Sequence, residues 1–120
     1  MTQMITEKLN QDQQWEKLLS QLEKIFGKKP EDLRSILFLI GVQELGMGIR
    51  KFSKEEKRDL MHIAICKVLS YSGYYEEEGI DEDGWPHWKL IKNLPANDML
   101  QQDVLLKNHI LKYFEENMKL

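Results

Sequence analysis

Apolar and polar positions alternate with a helical period over four stretches of the chain and lose that period over one. Trp15, Leu18, Leu19, Leu22, Ile25 and Phe26 recur at spacings of three and four, which sets one apolar stripe on a helix. Asp12 is its expected N-cap, Gly27 its expected left-handed end, and Lys24, Lys28 and Lys29 suit the negative end of the helix dipole. Residues 1–11 are polar with weak periodicity and read as a tail, ordered or flexible, in which Met4, Ile5 and Leu9 could support an extra helical turn. Pro30, Glu31 and Asp32 then open a second helix with a favourable first-turn proline and with negative charge at the positive end of the dipole.

This second helix, residues 33–49, is apolar on almost every side, so it needs cover from more than one direction. Gly41 leaves room for a close neighbour, whereas Gly46 and Gly48 loosen the last turn. Ser53 and Glu56 form an S-x-x-E capping box for a third helix running to about Ser72. Leu60, Met61, Ile63, Ala64, Val68 and Tyr71 make its apolar side. The connection 73–96 has no helical period and is rich in aromatic residues, acids, glycine and proline. Asp83-Gly84 can close an irregular hairpin between 74–78 and 85–91, with Pro86 requiring an edge position; a plain loop is the alternative. Asn97 or Asp98 as N-cap, with Gln101 in the capping-box position, starts a fourth helix whose packing face carries Met99, Val104, Leu106, Ile110, Leu111, Tyr113 and Phe114. The pattern therefore predicts an all-α, or mainly α, fold: a compact four-helix bundle-like domain spanning 1–120, with an aromatic-acidic loop or short hairpin between helices three and four.

A length of 120 residues, 42% hydrophobic and 31% charged, fits one ordered domain. The single cysteine excludes an intramolecular disulfide and favours a reducing compartment. The N-terminus lacks the pattern of a signal peptide, and the longest apolar run, 36–40, falls far short of the roughly 20 residues of a membrane helix. A cytoplasmic protein with no membrane association is the expectation. Net charge is −3, yet Glu76, Glu77, Glu78, Asp81, Glu82 and Asp83 carry six negative charges in one short segment; with them set aside the remainder is +3. Electrostatic partners would therefore be chosen locally.

Three groups of residues offer chemistry. Glu55, Asp59, His62 and Cys66 fall at i, i+4, i+7 and i+11 of the third helix and form one stripe of metal-ligand types. No C-x-x-C, H-x-x-x-H or E-x-x-H pair supports a metal there, and a solvated polar face explains the same stripe. Glu44 is the second group. At about 100° per residue it projects into an apolar stripe of the second helix, so it is a candidate buried carboxylate, paired with a base such as Arg34, Arg50 or Arg58 or else open to acid-base chemistry. The third is the aromatic-acidic connection itself. Tyr74, Tyr75, Trp85 and Trp88 with Glu76, Glu77, Glu78, Asp81 and Asp83 make a lid over the helices or a docking patch for a basic partner. Asp81, Asp83 and Gly84 imitate part of a calcium loop, but Gly79 and Leu90 stand where the first aspartate and the bidentate glutamate would be.

Three helices, a possible hairpin and a last helix resemble the order of a winged helix-turn-helix domain, which implies a DNA-binding regulator. The charge-balanced third helix and the acidic would-be wing oppose phosphate contact. There is no G-x-S-x-G, phosphate-binding loop, dinucleotide turn or H-E-x-x-H motif, so neither a reaction nor a cofactor is nominated. The reading that follows is a small interaction or assembly protein with a protein partner, including itself as a homodimer burying surplus apolar surface such as Leu105.

Overall fold

Each helix boundary has a local chemical cause. In the computed structural model, which describes residues 2–48, 50–95 and 98–118, the elements are α1 (Thr2–Phe26), α2 (Leu33–Leu45), α3 (Lys54–Ser70), β1 (Tyr75–Ile80), β2 (Pro86–Leu90) and α4 (Met99–Met118). The architecture is mainly helical with one small antiparallel hairpin. Contacts divide the chain into two compact units, Met1–Pro30 with Pro95–Leu120 and Glu31–Leu94, where length alone suggests one domain.

In the first unit α1 starts at Thr2 rather than at Asp12, which lies inside the helix. Gln11 supplies a physical reason. Its side chain is 3% exposed, and Nε2 donates to Val104 O and to Asn108 Oδ1, both at 2.8 Å. A polar residue at this position is thus part of the packing, which hides the helix from a reading based on apolar period. Trp15 lies under Lys107 Nζ, 5.3 Å from the ring centroid, and Leu18, Leu111 and Phe114 share a groove. The paired positions advance together along both helices, so α1 and α4 run parallel. Gly27 ends α1 with φ of 77°, and its N–H reaches Glu23 O at 2.8 Å. Asp98 caps α4, its Oδ1 accepting the Gln101 N–H at 2.8 Å; the alternative cap, Asn97, and the last two residues of the expected fourth helix lie outside the described residues.

The second unit is built on α2 against α3. Asp32 caps α2 by accepting from Ser35 N at 2.9 Å, which holds its carboxyl below the usual carboxylate range. The helix closes at Leu45 with Gly46 left-handed at φ of 73°, earlier than the apolar run suggests; Ile49 is outside the described residues. Ile36, Leu37, Ile40, Gly41, Val42 and Leu45 are buried. At Gly41 the two helices meet so closely that an added Cβ would lie 2.7 Å from Leu60 C and 2.9 Å from Leu60 Cβ, with Leu60 O nearer still. The expected capping box of α3 is present: Ser53 N donates to Glu56 Oε1 at 2.9 Å and Glu56 N to Ser53 Oγ at 3.1 Å. Val42, Leu45, Phe52 and Leu60 form a core cluster, with Phe38 and Trp85 packed on it.

The connection after α3 is a hairpin, not a plain loop. Tyr75 pairs with Leu90, Glu76 with Lys89 and Glu77 with Trp88, before a bulge between Glu77 and Gly79 shifts the register to Gly79 with His87 and Ile80 with Pro86. Lys92 anchors its base, with Nζ donating to Ser72 O at 2.8 Å and standing 4.4 Å from the Tyr74 ring centroid. Trp85, on the α2–α3 cluster, anchors the tip.

Candidate functional site

Docking the hairpin along α3 frames a half-open cleft of about 410 Å³. From α3 it receives Glu56, Asp59 and His62, over Ile63; from the hairpin it receives Asp81, Asp83 and His87, with Trp85, Pro86 and Trp88 as apolar walls. Among the described residues no lysine or arginine lines it. The spacing of Glu56, Asp59 and His62 places them on successive turns of one helix face, and the antiparallel turn returns His87 towards Asp81.

The four carboxylates differ in what already occupies them. Asp81 Oδ1 accepts from Asp83 N at 2.9 Å and Trp85 N at 3.0 Å, while Oδ2 lies 2.8 Å from His87 Nε2. The His87 hydrogen bond, then the Trp85 N–H, holds the Asp81 carboxyl below its ordinary value. Glu56 serves the capping box and lies 3.4 Å from Arg50 Nη2; the Ser53 N–H is the main reason that its carboxyl is lowered. Arg50 in turn stands 5.0 Å from the Phe52 ring centroid, so this chain already mounts one guanidinium between a carboxylate and an aromatic ring beside the cleft. Asp59 and Asp83 form no salt bridge among the described residues. They are the carboxylates that an incoming cation would meet without displacing an ion pair.

The four-residue stripe of α3 does not converge. Asp59 and His62 face the cleft, Glu55 is exposed outside it, and Cys66 is fully buried. Its Sγ is 3.5 Å from His62 Nε2, and burial pushes the thiol up to about 11. It is therefore protonated at neutral pH and is neither a thiolate ligand nor an activated nucleophile. Among the described residues no three His, Cys, Asp or Glu side chains are grouped to hold a metal ion. Two results are expected for Cys66. Thiol reagents will label the native protein slowly at neutral pH and rapidly once denaturant unfolds it. Because the folded thiol titrates above its unfolded value of about 9, its stabilising contribution is complete below pH 9 and declines as pH rises towards 11; Cys66→Ala should flatten that part of a stability-against-pH curve.

Glu44 lies outside the cleft lining and is half-buried. Its Oε1 is 3.9 Å from Lys67 Nζ on α3, a base that the sequence does not single out. Both groups retain solvent contact, so the pair adds little to stability. Tyr74 and Tyr75 are half-buried, whereas Glu76, Glu77 and Glu78 are exposed along β1 beyond the cleft. Tyr75 meets His62 edge-on, with ring centroids 6.5 Å apart, and burial is the main cause of its raised phenol value.

His87 and Glu56 were the cleft residues hardest to find from sequence. Glu56 is legible only as a cap, and His87 acquires meaning through a hairpin register that brings it to a residue six positions away. Comparison of the chain with known protein families, with curated proteins and with solved structures finds no match in any of the three.

Proposed function

We propose that this protein acts by binding a protein partner through a basic segment, with the acidic hairpin and its cleft on α3 as the contact surface. The observation that carries this reading is the cleft: four carboxylates and two tryptophans line it, with no lysine or arginine among the described residues that do. Carboxylates supply attraction and orientation, and the tryptophans supply desolvated area and ring faces for a cation. The acids exposed along β1 extend the same field, which accelerates encounter with a basic partner and weakens with salt. That field opposes nucleic-acid phosphate, so a winged-helix role on DNA is not part of the reading. A reducing cytoplasm is its expected setting.

The test is a titration with a lysine- and arginine-rich peptide, followed by tryptophan fluorescence. Saturable binding that weakens steeply between low and physiological salt, and that falls in the double variant Asp59→Asn with Asp83→Asn, is the expected result. Absence of binding at low salt would overturn the reading. Self-association is a second reading, favoured in the first unit by the adjacent Met99 and Leu100 at the start of α4, 86% and 54% exposed, of which Met99 is expected from the sequence on the packing face but opens to solvent instead. Light scattering across a concentration series decides it, a constant monomer mass removing the homodimer.

A further inference from the structure

Within the second unit the hairpin is a two-stranded sheet, so each strand has one edge whose backbone N–H and C=O groups are not taken up by its neighbour. The two edges are chemically unequal. β2 begins with Pro86, which has no N–H to offer, and carries Lys89. β1 reads Tyr-Glu-Glu-Glu-Gly-Ile, contains no proline or lysine, and is exposed from Glu76 through Ile80. The edge is regular over residues 75–77, before the bulge between Glu77 and Gly79, and an open stretch of this kind invites a further strand. A second copy of β1 would set glutamates against glutamates, which is unfavourable for directly opposed like charges. A strand of opposite charge would meet Glu76, Glu77 and Glu78 on complementary terms. Ile80, 67% exposed at the end of β1, offers an apolar side chain to the same visitor.

We infer that β1 is a strand-addition edge that takes an extended, lysine-rich segment of the basic partner as a third strand of the sheet. Backbone hydrogen bonds to β1 supply the register, and the three glutamates select a basic strand over self-pairing. This inference rests on the reading of the protein as a binder of basic segments, and it adds the mode of binding.

The experiment uses the full chain with two probes: a short peptide alternating lysine and valine, and the same peptide N-methylated at every second amide so that its charge is kept and one hydrogen-bonding edge is lost. Affinity and amide hydrogen exchange of residues 75–80 are read together. Each backbone hydrogen bond contributes a modest net free energy, so loss of a row of them should weaken binding by about tenfold or more. The expected result is protection of the β1 amides by the first peptide, together with at least that loss of affinity for the second. Equal affinity of the two peptides, or binding without added protection of β1, overturns strand addition while leaving a basic-segment binder in place. Binding of neither peptide at low salt removes both. The variant Glu76→Gln with Glu77→Gln and Glu78→Gln should retain the hairpin yet bind the first peptide more weakly and self-associate more strongly. Unchanged binding by that variant also counts against the inference.

Discussion

Gly41→Ala should destabilise the protein by about 2 kcal/mol, although alanine is the better helix former. The propensity gain of the substitution is about 1 kcal/mol. Against it stands a new methyl group that would lie 2.7 Å from the carbonyl carbon of Leu60 and 2.9 Å from its Cβ. Those atoms belong to the backbone and the first side-chain carbon of α3, so no flexible side chain can swing away. The helices must separate, and overpacking of this kind costs about 1–3 kcal/mol and occasionally more. Separation would also loosen the cluster of Val42, Leu45, Phe52 and Leu60, which places the expected cost at or above the top of that range before the propensity gain is subtracted. Urea denaturation of the two proteins measures the difference. A stabilised Gly41→Ala would mean that α2 and α3 do not approach at this position.

Trp85→Ala should cost a further comparable amount and act most strongly on the hairpin. Truncation of a buried aromatic residue costs about 3–5 kcal/mol; Trp85 is half-buried, so about 2 kcal/mol is expected. Trp85 packs on the α2–α3 cluster and also walls the cleft. Its loss therefore removes a principal attachment of the hairpin tip and opens one side of the binding surface. Amide exchange across 75–90 should accelerate well beyond that of α2 and α3, and affinity for a basic peptide should fall with it. Trp85→Phe, which keeps an apolar ring on the cluster, should recover much of both. Unchanged exchange in Trp85→Ala would show that the hairpin is held by its base alone, through Lys92 and Tyr74.

Short-range chemistry was the most legible part of the fold. Ser53 with Glu56, Asp98 with Gln101, and Gly27 each mark a helix end through atoms within a few residues, and the structure uses them so. Gly41 was legible as a close approach because glycine in the middle of an apolar helix has few other uses. The start of α1 was not legible, since Gln11 is buried by hydrogen bonds to a helix 93 residues away and a count of apolar positions treats it as solvent-facing. That Glu44 stands near a base was legible, but not that Lys67 is one such base, since that depends on how α2 and α3 face each other. The stripe of Glu55, Asp59, His62 and Cys66 was correctly aligned in angle, yet angle along a helix says nothing about depth, and Cys66 lies in the core while Glu55 is exposed. The acidic-aromatic connection reads from the sequence as a lid over the helices or a docking patch, and its cleft was not legible, because that cleft unites α3 with the hairpin turn, two segments about 20 residues apart that are brought together by the register of β1 and β2.

The most direct measurement is an amide chemical-shift map of the full chain as a lysine- and arginine-rich peptide is added at low salt. Perturbations should concentrate on the α3 face from Glu56 to Ile63 and on the hairpin from Tyr75 to Leu90, with the indole N–H signals of Trp85 and Trp88 among them, and should diminish as salt is raised. Perturbations confined to α1 and α4, or none at peptide concentrations that saturate the fluorescence change, would contradict the assignment of the cleft and hairpin as the binding surface.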